Sequence, residues 1–153
     1  MHNFLFSSLG IATWQTVYMV FISSFISIFF GLVIGVLLFS TKPGKALENV
    51  VVYNLLSFVV NFTRSVPFII LMVAIIPLTR LLVGTSIGTN AAIVPLIIAA
   101  IPFYGRIAEN AIEAVPAGLL EAADAMGATA WQTVTKVLLP EALPVLVKGA
   151  SLT

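Results

Sequence analysis

An uninterrupted apolar run near the start of the sequence most constrains the fold. Residues 17–39 are mainly apolar and contain no charged side chain. At a helical rise of about 1.5 Å per residue, this run reaches about 34 Å, enough to cross a bilayer core of about 30 Å. Lys42, Pro43, Gly44 and Lys45 follow it and combine charge with the two strongest helix breakers. We therefore expect a first membrane span over 17–39.

The composition of the whole chain points to the same class of protein. Of its 153 residues, 60% are hydrophobic and 8% are charged, against about 45–50% and about 25% in soluble domains. The net charge of +1 argues against nucleic acid as a partner, because phosphate binding needs a clustered basic patch. The absence of cysteine excludes disulfides and thiolate-bound zinc. No lysine or arginine precedes Lys42, whereas a secretory signal begins with a basic region. The sequence therefore predicts that the N-terminal run is a retained membrane anchor.

Two further spans are predicted, over 65–83 and 91–104. Ser65 is a candidate N-cap and Pro67 suits a first helical turn, while residues 46–62 read as an interfacial helix that leads into this second span. Pro95 and Pro102 fall inside the third span and remove helical hydrogen bonds that lipid cannot replace. We therefore expect the third span to face protein more than lipid.

The basic residues predict the orientation. If the loop after the first span is cytoplasmic, only Arg80 lies outside, while six basic residues lie inside: Lys42, Lys45, Arg64, Arg106, Lys136 and Lys148. Cytoplasmic loops of membrane proteins carry such an excess of lysine and arginine. The predicted topology has the N-terminus outside and the polar region 106–144 in the cytoplasm.

Two glycines four residues apart, Gly31 and Gly35, lie in the first span. This small-xxx-small spacing lets helix backbones approach closely in lipid. It predicts a helix-packing face, within the chain or between two copies.

Region 106–144 predicts short helices joined by turns. Glu109 and Glu113 are one turn apart and are expected on the wet face of the first helix. Gly127 is expected to end the next helix as a C′ residue. Thr129 and Gln132 have the spacing of a capping box for a further helix, with Trp131, Val134 and Leu138 on its apolar face. Leu139-Pro140 is expected to end that helix.

The stretch from Glu121 to Pro140 resembles the "EAA" loop of ABC importer permeases of the type I, binding-protein-dependent kind. The family pattern is Glu-Ala-Ala, three residues, Gly, nine residues, an aliphatic residue, one residue and Leu-Pro. Glu121, Ala122 and Ala123 open it, Gly127 follows, and Leu139 and Pro140 close it. Residues 61–68, 83–88, 91–96 and 109–111 are similar to the methionine-importing subfamily.

The resemblance implies that a cytoplasmic ATPase binds this loop. Glu121 would supply a polar anchor, the small Ala122 and Ala123 would permit close approach, and Gly127 would set the hinge angle. The implied fold is an all-α membrane protein with about three transmembrane helices followed by a cytoplasmic coupling-helix loop. It implies a multi-pass protein of the bacterial inner membrane.

The implied function is that of a permease subunit for ATP-driven methionine import. Its implied partners are the ATPase, a second permease copy in a homodimer and an extracytoplasmic substrate-binding protein. The chain itself would hydrolyse no ATP and needs no cofactor or metal. The residues that bind substrate are not identifiable from the sequence. Two alternatives stay open: a permease for another amino acid, and a nontransporting truncated membrane subunit, since members of the resembled family continue from the region of Lys148 into further spans.

Overall fold

The computed structural model describes residues 2–45 and 47–153. Ala46, at which the predicted interfacial segment begins, lies outside the described residues. The helices are α1 (His2–Thr41), α2 (Val50–Ser65), α3 (Phe68–Ala74), α4 (Ile76–Val83), α5 (Thr89–Glu113), α6 (Ala117–Ala125), α7 (Ala130–Thr133), a π-helical turn (Val134–Leu138) and α8 (Leu139–Ala150). Over the part of the chain that the structure describes there is no strand, in agreement with the predicted all-α class.

Helices α1 and α5 pack against each other in parallel. A Cβ atom added at Gly31 would lie 3.0 Å from the Ile101 carbonyl oxygen, and one added at Gly35 would lie 2.7 Å from that of Gly105. The contacts advance along both helices in the same direction, so both helices point the same way. The two glycines thus lie where the backbones of α1 and α5 come closest, and the contact is within the chain.

Helices α2, α3 and α4 return along α5 in the opposite direction. Arg64 lies over the Phe103 ring at 5.8 Å, Leu71 shares a cavity with Leu96, and Ile76 shares another with Ala91. By length and apolar composition, α1 and α5 can each cross a membrane, and α2 with α3 forms a further candidate bent by 108°. The parallel pair therefore requires a return crossing between them, which these shorter helices supply.

The second predicted span is not one straight helix. Ser65 is the last residue of α2 and its hydroxyl donates to the Asn61 carbonyl, 2.8 Å away, so the predicted N-cap at Ser65 is wrong. Pro67 is instead the N-cap of α3. The chain breaks again at Ile75, and Pro77 occupies the first turn of α4. Because proline lacks an N–H and crowds the preceding turn, a single helix over 65–83 is unfavourable.

Helix α5 is the centre of the fold. Pro95 and Pro102 are both buried within it, and the helix continues through them from Thr89 to Glu113. The prediction that this segment faces protein is confirmed. Helix α8 packs back along the last turns of α5, where the Tyr104 hydroxyl donates to the Leu146 carbonyl across 3.1 Å. The resulting core joins the end of α1 to α5 and α8 through Phe39, Ile112, Leu138, Ala142 and Leu146.

Candidate functional site

Helix α6 ends in a Schellman motif at Gly127. Gly127 has φ of 75°, its N–H donates to the Asp124 carbonyl at 2.9 Å, and the Ala128 N–H donates to the Ala123 carbonyl at 3.0 Å. These two bonds satisfy carbonyls that the helix end would otherwise leave without partners. The predicted C′ role of Gly127 is confirmed, and the left-handed conformation explains why glycine stands there.

The helix that follows begins in a capping box. The Gln132 N–H donates to Thr129 Oγ1 at 3.3 Å, and the Thr129 N–H donates to Gln132 Oε1 at 2.9 Å. Both halves of the predicted box are present. With a Schellman motif on one side and a capping box on the other, the corner between α6 and α7 is fixed by local hydrogen bonds at both ends.

The outer face of α6 is apolar, and three of its five residues have small side chains or none. Gly118, Leu119, Ala122, Ala125 and Met126 are all exposed, and their spacing brings them to one side of the helix. Met126 exposes 81% of its surface. No side chain of the described residues covers this face, so a partner can approach the helix backbone closely at Ala122 and Ala125.

The Glu-Ala-Ala triplet is divided between two faces of α6. Glu121 and Ala122 are exposed, but Ala123 is only 1% exposed and packs inward. Glu121 and Asp124 line a cavity of about 340 Å³ with Lys45 from the loop after α1. The expectation that Ala123 lies on the approach surface is therefore wrong. Its small side chain lets α6 lie close to its own chain, and Ala122 is the alanine that a partner can reach.

Leu139 and Pro140 do not end the helix, contrary to prediction. The chain passes from α7 through a π-helical turn directly into α8, with the Leu139 N–H donating to the Val134 carbonyl five residues earlier. Pro140 has no N–H and its ring would crowd the carbonyl of Lys136 in a regular α-helix. The wider turn relieves that crowding. Leu138 is buried, whereas Trp131 is 75% exposed and lines an apolar cavity together with Val134 and Leu32.

The α6–α7 corner lies at the same end of the molecule as the loop after α1. Lys45 and Gly44 of that loop line one cavity together with Ala117 and Thr133. Arg80 lies at the opposite end, where its Nε donates to Ser86 at 3.2 Å. The structure thus separates Arg80 from Lys45, in the way that the predicted topology requires.

A group of polar side chains beside this corner was not predicted from the sequence. Glu109 was expected on a wet face, but only 1% of it is exposed, so that prediction is wrong. It pairs with Arg106 one turn earlier on α5. Arg106 Nη2 also donates to Ser57 Oγ at 2.9 Å and Asn61 Oδ1 at 2.8 Å on α2. The available signal was a pair of opposite charges three residues apart on an otherwise apolar helix, because charges at such positions are normally paired.

Lys42 completes this group from the end of α1. Its Nζ lies 2.7 Å from Glu113 Oε1 and 3.9 Å from Glu109 Oε1. The hydrogen bond to the Glu113 carboxylate raises the pKa of Lys42 above its ordinary value, and partial burial opposes that rise. Two cations and two carboxylates therefore balance at the junction of α1, α2 and α5, immediately before α6.

A comparison with known families agrees with this architecture. Residues 27–153 match the family of binding-protein-dependent transport system inner membrane components. The chain belongs to that family. Its apolar helices agree with the inner-membrane description of that family.

Individual members of the family are similar over most of the chain. The D-methionine transport system permease protein MetI of Salmonella typhi is 57% identical over 140 residues, which are 92% of this chain and 64% of that protein. The protein of the same name from Escherichia coli strain K12 is 54% identical over the same shares. The chain thus spans about 64% of the length of these relatives, which are permease proteins.

Solved structures show the same helix arrangement. An inward-facing structure of the MetNI methionine ABC transporter matches with a TM-score of 0.88 and 54% identity, over 91% of this chain and 64% of the matched chain. A structure of an amino acid ABC transporter with histidines matches with a TM-score of 0.59 at 19% identity, which shows the fold alone.

Proposed function

We propose that this chain forms part of the permease subunit of an ATP-driven methionine importer of the bacterial inner membrane. Relatives between 46% and 57% identical carry the description of D-methionine transport permeases, and the 0.88 match is to a methionine ABC transporter. ATP hydrolysis would belong to a separate cytoplasmic subunit. A second permease copy would complete the translocation path, and an extracytoplasmic binding protein would deliver substrate.

The orientation follows from the charges at the two ends of the helix bundle. Lys42, Lys45 and Arg106 gather at the end that carries the α6–α7 corner, and Arg80 lies at the other. Since basic residues are concentrated on the cytoplasmic side, the corner faces the cytoplasm and the N-terminus faces outside. A cytoplasmic ATPase can then reach α6.

The observation that carries the proposal is the outer face of α6. A helix that docks into a groove on another protein does so through an apolar face. On this face Gly118, Ala122 and Ala125 are small and exposed, which permits close approach, and the hydrogen bonds at Gly127 and Thr129 fix the orientation of the corner. Glu121, exposed beside this face, would provide a hydrogen-bonding anchor. ATP binding would move the docked helix and shift the permease between inward-open and outward-open states.

Two matched glycine variants test the coupling role of α6. Gly127 has φ of 75° and Gly84, at the C-cap of α4, has φ of 80°, and neither has a neighbour that an added Cβ would touch within 4 Å. A non-glycine residue in this conformation costs about 1–2 kcal/mol, so Gly127→Val and Gly84→Val carry the same backbone strain. Only Gly127→Val alters the corner. We expect it to insert normally but to weaken ATPase association and abolish transport.

The measurement is made on a full-length permease that contains residues 1–153, in nanodiscs with its ATPase. Co-purification of the ATPase and methionine-stimulated ATP hydrolysis should fall for Gly127→Val and stay unchanged for Gly84→Val. Glu121→Ala should give a milder loss, because a hydrogen bond to a charged group contributes about 1.5–3 kcal/mol. Wild-type association and hydrolysis in Gly127→Val would refute the coupling role.

Methionine uptake by the unmodified permease, competed by unlabelled D- and L-methionine, tests the substrate.

A further inference from the structure

Arg106 joins α5 to α2 through polar bonds. Its Nη2 donates to Ser57 Oγ at 2.9 Å and to Asn61 Oδ1 at 2.8 Å on α2, while its Nη1 pairs with Glu109 on its own helix. A planar guanidinium presents several donors in a fixed geometry. One side chain therefore fixes both the distance and the rotation of α2 relative to α5.

Helix α2 buries little of its own side-chain surface in the fold. Val60 is the only residue among the sixteen of Val50–Ser65 that is buried. By contrast, α1 is held against α5 by close backbone contact at Gly31 and Gly35. Close backbone contact thus fixes α1 and α5 to each other, whereas α2 buries one apolar side chain among these sixteen residues. The bonds from Arg106 add a directional constraint on the position of α2.

Glu109 keeps Arg106 in position. The Glu109 carboxylate is buried, and a buried carboxylate requires a paired cation or neutralisation. It has Arg106 on one side and Lys42 Nζ, 3.9 Å away, on the other. Arg106 Nε is buried and has no hydrogen-bond partner among the described residues, so the bonds that hold the guanidinium are those from its two terminal nitrogens.

This junction lies directly between the proposed coupling helix and the return crossing. Helix α5 ends at Glu113 and α6 begins at Ala117, while α2 leads through the 108° bend into α3. Resting on the proposed function, we infer that Arg106 is a positioning residue that transmits displacement of α6, through the end of α5, to α2 and α3. Rigid helices joined by a network of hydrogen bonds and ion pairs are a physical route for such coupling.

Two variants separate positioning from charge balance. Arg106→Lys keeps the cation beside Glu109 but cannot reach Ser57 and Asn61 together. The double variant Ser57→Ala/Asn61→Ala keeps the buried ion pair and removes the acceptors on α2. Arg80→Lys is the control, since Arg80 is exposed and bonds Ser86 at the other end. All are made in a full-length permease with its ATPase, reconstituted in proteoliposomes.

The decisive quantity is methionine transported per ATP hydrolysed. We expect both α2-junction variants to retain ATPase co-purification and ATP hydrolysis, with transport per ATP reduced at least about fivefold, the lower range of coupling between two sites. Arg80→Lys should keep the wild-type ratio. An unchanged ratio in both junction variants, even with lower thermal stability, overturns the inference because it leaves only a structural role.

A distance measurement tests the inference independently of transport. Residues 1–153 contain no cysteine, so once any cysteine in the rest of the full-length permease is replaced, spin labels can be attached at Val59→Cys on α2 and Asn110→Cys on α5, both exposed. The inference requires a narrow distance distribution in the parent and in Arg80→Lys, and a shifted or broadened one in Arg106→Lys and in the double variant. If the parent permease transports no methionine, the proposed function fails. Identical distributions in all four proteins would instead remove the positioning role.

Discussion

Adding one methyl group at Gly35 tests how α1 and α5 are held together. The Cβ of Gly35→Ala would lie 2.5 Å from Ala108 Cβ and 2.7 Å from the Gly105 carbonyl oxygen. Carbon atoms in contact are ordinarily about 3.5–4.0 Å apart, so the helices would have to separate by about 1 Å at this level. Overpacking of a close contact costs about 1–3 kcal/mol. We expect Gly35→Ala to weaken the α1–α5 contact by that amount.

Gly10→Ala provides the control on the same helix. A Cβ at Gly10 meets nothing within 4 Å, so this variant changes only helix propensity, which favours alanine by about 0.5–1 kcal/mol. Donor and acceptor dyes on two introduced cysteines, one on α1 and one on α5, report the separation of the helices. Titration of the labelled protein in mixed micelles with a denaturing detergent then gives the free energy of separation for each variant.

The free energy of separating α1 from α5 depends on close backbone packing rather than on side-chain hydrophobicity. In lipid, helices associate through packing of small residues and not through exclusion of water. The free energy of separating α1 from α5 is compared between Gly35→Ala and Gly10→Ala. If the two values agree within the about 0.5 kcal/mol typical of surface substitutions, then the glycines do not set the α1–α5 distance.

Three further predictions use other parts of the structure. A membrane-impermeant maleimide should label Ile87→Cys in intact cells and Met126→Cys only after permeabilisation, since these exposed residues lie at opposite ends; the reverse pattern would invert the topology. Ala123→Leu should destabilise the fold by about 1–3 kcal/mol through overpacking, whereas Ala122→Leu should fold normally in thermal unfolding but lose ATPase in co-purification; equal stability of the two would contradict the inward position of Ala123. Because the pKa of Lys42 is raised in the folded protein, its ion pair contributes fully below the ordinary pKa of about 10.5 and is lost only above it. Lys42→Gln should therefore cost less than about 1 kcal/mol, and that difference should stay constant between about pH 6 and pH 9 in unfolding titrations.

Local interactions were predictable from the sequence. The capping box at Thr129 and Gln132 and the left-handed Gly127 each depend on residues within one turn, so their spacing along the chain is sufficient evidence. A long apolar helix over 17–39 was predictable for a similar reason, because length and lack of charge are properties of a single segment. It falls within α1, which extends from His2 to Thr41.

Features that depend on distant parts of the chain were not predictable. Glu109 is buried because α2 and the end of α1 cover it, and helical periodicity cannot tell which side of a helix another element will cover. Arg106 meets Ser57 and Asn61 across more than forty residues of sequence. The break at Ile75 was missed for a different reason: Pro77 stands inside an apolar run, and hydropathy gives no sign of a break there.

The π-helical turn at residues 134–138 has a consequence for comparing related sequences. An α-helix rotates by about 100° per residue, and a π-helical turn contains one residue more than an α-helical turn. The wider turn takes up that extra residue, so that Ala142 and Leu146 still lie against α5, where both are buried. Deleting one residue from 134–138 would therefore restore a regular helix and leave these two side chains on the same face. A gap of one position here is compatible with the same packing, whereas a gap of one position within α8 itself would turn the residues that follow it by about 100°.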